Sequence, residues 1–122
     1  MNFMNIPAIK NQQKALISEN YQKILAHEQA HKRAGGALAG SVVIERNAQG
    51  IPVGGHVSIK MPTLNPKNPQ KTIDNANTVI NSAMAPSDPS RQDYRVAAQA
   101  KSIKSQAVDL QNRQKKRLDY YA

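Results

Sequence analysis

A chain of 122 residues is one domain's worth, and 39% apolar content with one Phe, four Tyr and no Trp allows only a thin core. The lack of cysteine excludes thiolate metal sites and disulfides, and no apolar run approaches the length of a membrane span. Seventeen Lys and Arg against eight Asp and Glu leave a formal net charge of +9, but no nucleic-acid motif or aromatic stacking platform accompanies the charge. The basic cluster Arg113–Arg117 therefore reads as a solvated helix end rather than a nucleic-acid interface.

Met1–Ile6 reads as a lead-in. Met1–Lys10 lacks a basic stretch followed by an uninterrupted apolar segment, so a cytoplasmic location is expected by default, with non-classical export left open. From Pro7 to Ala34 there is no internal Gly or Pro, and Ala, Leu, Gln, Lys and Glu dominate, so a single long helix is expected. Gly35-Gly36 is its stop signal. Ile17, Tyr21, Ile24, Glu28 and His31 share one face of that helix, with His27 one turn beyond Ile24.

That face carries the pattern His27-Glu28-Gln29-Ala30-His31. On a helix, residues four apart lie one turn from each other, so both imidazoles can reach a single metal ion. A glutamate directly after the first histidine sits beside the metal as a base for water without being a ligand. The chain has three histidines, and two of them fill this pattern.

Gly35–Gly40 is expected to be a small-residue loop. Ser41–Arg46 and Ile51–Lys60 carry β-branched runs on either side of the turn signal Asn47-Ala48-Gln49-Gly50, which predicts a β-hairpin. Gly54-Gly55 in the second strand marks a bulge or a close approach of the backbone to another element. His56 follows, and it is the natural third metal ligand. Three protein ligands leave the open position of a catalytic zinc site. Glu45 on the paired strand is the substitute, followed by Asp74, Asp88 and Asp93.

Met61–Pro69 is a Pro- and Asn-rich loop. A helix then starts with Asn68 as cap and Pro69 at its first position, buries Ile73, Ala76, Ile80 and Ala83, and ends near Met84. The last helix starts in the same style at Asp88-Pro89-Ser90. It presents Val96, Ala100, Ile103, Ala107 and Leu110 on one face and runs to about Leu118. The expected architecture is thus an α+β single domain over residues 7–118, with a long site-bearing helix, a hairpin, two further helices, and a tail at 119–122.

Ala26–His31, Ala34-Gly35-Gly36, Val53–Ile59, Ala85–Ser90 and Asp93–Ala100, in this order, resemble the SprA-related family of small bacterial zincin-like metalloprotease domains. The likeness spans about residues 22 to 106. It implies a zinc-dependent peptidase with one Zn2+ per chain, acting on a peptide or protein substrate. The chain departs from the family pattern at His56, where relatives usually carry the glutamate that gluzincins use as third ligand. The expected chemistry has His27, His31 and His56 holding zinc and Glu28 acting as general base. The hairpin edge would bind substrate as an added strand. The resemblance also brings Tyr94 or Arg95 near the site as oxyanion contacts, against a plain reading as a packed ring and a surface cation. Two other function classes compete with a peptidase: a non-catalytic module stapled by zinc, and a basic-helix binder of nucleic acid or anionic surfaces.

Overall fold

The computed structural model describes residues 5–121, with side-chain detail for residues 11–118. Helix α1 (Asn5–Gly35) is followed by a single 3-10 turn (Gly36–Leu38), strands β1 (Ala39–Arg46) and β2 (Pro52–Ile59), helix α2 (Pro69–Ala83) and helix α3 (Arg91–Tyr121). The α+β architecture is the one expected from the sequence. Three boundaries differ. The lead-in ends before Asn5, its first four residues lying outside the described ones. The Gly35–Gly40 stretch contains the 3-10 turn and the first two residues of β1 rather than an irregular loop, because the Lys60 amide donates to Leu38 O and extends the pairing of the strands. At the other end no Gly or Pro follows Leu118, and α3 continues through residues 119–121 that were expected to be a tail.

The two strands pair antiparallel, with Val42 opposite Val57, Val43 opposite His56, Ile44 opposite Gly55 and Glu45 opposite Gly54. Alternation of side chains sorts these into two faces. Val42, Ile44, Val57 and Ile59 are half-buried, whereas Val43, Glu45, His56 and Ser58 are exposed. Gly55 belongs to the face turned towards α1. A Cβ there would lie 2.8 Å from Ile24 Cγ2 and 2.9 Å from Glu28 Cγ, so only glycine lets the strand lie this close to the helix. Gly54 and Gly55 pair with Glu45 and Ile44 of β1, and one ladder irregularity falls directly beside Gly54, where Arg46 pairs with Pro52 and skips Val53; the other lies between Ala39 and Val42.

Helix α1 packs on both strands and on α2, and α2 packs along α3. Asn68 caps α2, its side chain accepting from the Lys71 amide, with Pro69 in the first turn. The core lies between α2 and α3: Ile73, Ala76, Val79 and Ala83 of one meet Ala97, Ala100 and Ala107 of the other. Val79 takes the fully buried place expected for Ile80, which is half-buried. A core made so largely of alanine lets helices approach closely but removes little apolar area from water, at about 25 cal/mol per Å2. Thr72 ties the 61–69 loop to α2, its hydroxyl accepting from the Asn65 amide and donating to Thr63 O.

Candidate metal centre

His27 and His31 leave α1 on the face that meets α2 and the start of α3. The Nε2 atoms of the two rings are 3.1 Å apart. Asp93, in the first turn of α3, closes the group: Oδ2 is 3.2 Å from His27 Nε2 and Oδ1 is 3.1 Å from His31 Nε2. Glu28 is buried, and its carboxylate lies within 4.8 Å of the ligand atoms of both histidines.

The outer nitrogens of both rings face groups that can only accept protons. His31 Nδ1 is 2.7 Å from Ser82 O, and His27 Nδ1 is 3.1 Å from Asp88 Oδ1. Each Nδ1 therefore carries the hydrogen, which turns the Nε2 lone pairs towards one another and towards Asp93. Two imidazole nitrogens and the Asp93 carboxylate converge, one Asp93 oxygen facing each ring. Tetrahedral zinc, with bonds of about 2.0–2.1 Å to nitrogen, spaces its ligand atoms about 3.3–3.4 Å apart, close to the spacing found here. The residues present fit a divalent metal.

Local folding explains how Asp93 arrives. Ser90 Oγ accepts from the Asp93 amide at 3.0 Å while Asp93 Oδ2 accepts from the Ser90 amide at 2.8 Å, a reciprocal cap at the start of α3. The cap is thus Ser90, not Asp88 as the cap-then-proline pattern suggested. Relieved of capping, Asp88 reaches His27. On the other side Ser82 Oγ donates to His31 O at 2.6 Å, so the last turn of α2 holds both the ring and the backbone of His31.

The charges respond to this crowding. Burial raises the pKa of Glu28, and the nearby His31 and His27 only partly offset it. For His27, burial pulls the pKa down, but the hydrogen bond to Asp88 and the negative charges of Asp93 and Glu28 outweigh it, leaving it above its ordinary value. The same hydrogen bond lowers the pKa of Asp88.

A cleft of about 660 Å3 opens over the cluster, bordered by α1, β2, the end of α2 and the start of α3. His56 lines it but is not among the converging atoms. The pleat of β2 turns Gly55 towards Glu28 and His56 to the opposite, exposed face, where its Nδ1 bonds Glu45 Oε1 at 2.9 Å. The structure brings Asp93, not His56, to the two Nε2 atoms. The Asp93 signal in the sequence was the spacing Ser90-x-x-Asp93, which marks a helix start but not its direction towards α1. Asp74 accepts from Gln70 on α2 and stands outside the cleft. Tyr94 is exposed, and neither it nor Arg95 borders the cleft.

Comparison with sequence families places residues 5–118 in one match, to the SprA-related family. The chain belongs to the SprA-related family. A comparison with curated proteins returns no match, and neither does one with solved structures. Among the described residues of this SprA-related chain, no helix is long and apolar enough to cross a membrane.

Proposed function

We propose that this SprA-related chain is a zinc-dependent peptidase, with His27, His31 and Asp93 holding the ion. The observation that carries the reading is the convergence of two imidazole Nε2 atoms and the two carboxylate oxygens of Asp93 at 3.1–3.2 Å, with both outer Nδ1 atoms facing acceptors elsewhere. A bound zinc supplies a Lewis acid for the scissile carbonyl and makes water acidic enough to attack near neutral pH. Glu28 has the base's role. It is adjacent to the ligands without being needed to complete them, and its raised pKa suits a group that accepts a proton from water and returns it to the leaving amine. Asp88 and Ser82 O act through the imidazoles, keeping each ring in the tautomer that leaves Nε2 free. The cleft of about 660 Å3, bordered by β2 and the start of α3, is where a peptide substrate would lie.

A second reading, a zinc staple without turnover, draws on the thin alanine core and on the ligands' coming from two helices that do not pack along their lengths. The substitution Glu28→Gln separates the two. Elemental analysis should find one zinc per chain in both wild type and variant. Hydrolysis of a mixed-peptide substrate, followed by mass spectrometry, should fall by at least about a hundredfold in the variant, as expected for loss of a general base. Zinc binding without any hydrolysis in wild type favours the staple, and failure of wild type to bind zinc overturns both readings.

A further inference from the structure

The cleft is not uniform along α1. On the side of His27 it is bordered by Lys23, His56, Asp88, Ser90 and Gln92, polar side chains among which Ile24 is the apolar exception. Past His31 the lining changes to Val57, Ile59, Met61, Ala83 and Val96. The order follows from the fold. Gly35, one turn after His31, lies so close to β2 that a Cβ there would be 2.8 Å from Ile59 Cδ1 and 3.0 Å from Ser82 Oγ. Ala83 follows the residue whose carbonyl holds His31, and Val96 stands one turn after Asp93 on the same face of α3. Ile59 and Ala83 are thus tied to the side of the metal-binding group past His31, with Val96 one turn from Asp93. Val57, Ile59, Met61 and Val96 are all half-buried around open cleft volume, and none of the four is titratable.

We infer that this end of the cleft is a side-chain subsite for an aliphatic residue, of leucine or methionine size, adjoining the bond to be cut. The inference rests on the peptidase reading and adds the substrate class: peptides with a medium-sized apolar residue beside the scissile bond. A charged residue entering the subsite loses its hydration against apolar side chains. A glycine leaves the apolar wall uncovered. The polar end, with Lys23 and His56, takes the other side of the peptide without comparable selection by apolar contact.

The test uses amino-acid hydroxamates, whose hydroxamate group ligates zinc and whose side chain varies. Glycine, leucine, aspartate and lysine hydroxamates are titrated into the zinc-loaded full chain by calorimetry. Methyl signals of Val57, Ile59, Met61 and Val96 are followed by NMR. Leucine hydroxamate should bind at least about tenfold more tightly than glycine hydroxamate and shift those methyls, while the aspartate and lysine forms bind no better than glycine. The variant Val96→Phe, which narrows the subsite without touching a ligand, should reverse the leucine preference in favour of glycine. A variant that fails to fold shows as lost methyl dispersion, and Val96→Ala, with weaker leucine binding and unchanged glycine binding, then serves in its place. Equal affinities for glycine and leucine, or a preference for a charged side chain, overturn the inference while leaving the peptidase reading intact. No zinc uptake, or zinc uptake without hydroxamate binding, overturns the peptidase reading itself.

Discussion

Two histidine–carboxylate groups reach the same cleft, the second through His56 alone, and they have opposite characters. His27 and His31 meet Asp93 in a half-buried to buried cluster whose every outer contact is assigned, to Asp88, Ser82 O and the Ser90 cap. His56 and Glu45 form a single pair, 2.9 Å apart, on the exposed face of a two-stranded sheet. Both contain an imidazole and a carboxylate at hydrogen-bonding distance. Burial and convergence separate them: one directs several donors at a point, and the other satisfies itself and faces water. An exposed pair of this kind contributes little to stability, commonly below about 1 kcal/mol.

The comparison breaks most decisively if the wrong histidine controls metal uptake. His31→Ala and Asp93→Ala should each weaken zinc binding by more than the 10–100-fold typical of losing an outer partner, whereas His56→Ala should leave zinc content at wild-type level. Zinc titration against a competing chelator checks this, and loss of zinc in His56→Ala would transfer the third-ligand role to the hairpin. A smaller effect tests the outer contacts. Asp88→Asn retains an acceptor for His27 Nδ1 but removes its charge, and should lower zinc affinity by about tenfold, less than Asp88→Ala, as outer-shell changes do. Equal affinities for Asp88→Ala and wild type would show that the contact does not hold the ring.

The smallest effect is that of pH on the metal-free protein. His27 has its folded-state pKa raised above 6.5, so the stability it contributes is complete below that value and is lost as pH rises through the raised one. Glu28, raised above 4.5 by burial, works in the same direction. Asp88, lowered below 3.8, contributes above that value and loses its contribution as pH falls through the lowered one. Metal-free protein should therefore lose melting temperature between pH 5 and 8. The rise in melting temperature on adding zinc should grow over the same range, because zinc competes with protons for His27. Calorimetric melting with and without zinc measures both. A zinc-induced rise that shrinks as pH increases would contradict the cluster's acting as a ligand set.

Much of this molecule was legible in local pattern. Apolar spacing and glycine or proline punctuation located α1, the hairpin, α2 and α3 to within a few residues, because helix stops, turns and caps depend on a residue and its near neighbours. The i, i+4 spacing of His27 and His31 was likewise enough to place two imidazoles on one helix face, with Glu28 beside them, since that relation lies within a single element. The third member of the cluster, a carboxylate, was another matter. Asp93 is more than sixty residues from His31, and whether it, Asp88, Asp74 or Glu45 meets the histidines depends on how α2 and α3 dock against α1. For His56 the deciding fact was the phase of a strand: with Gly55 turned inward to touch Ile24 and Glu28, the next residue had to point outward. The sequence by itself determined the elements and the two-histidine face, through short-range sterics and hydrogen bonding. Only the tertiary structure decided which carboxylate completes the cluster and which end of the cleft is apolar, because both depend on packing between elements distant along the chain.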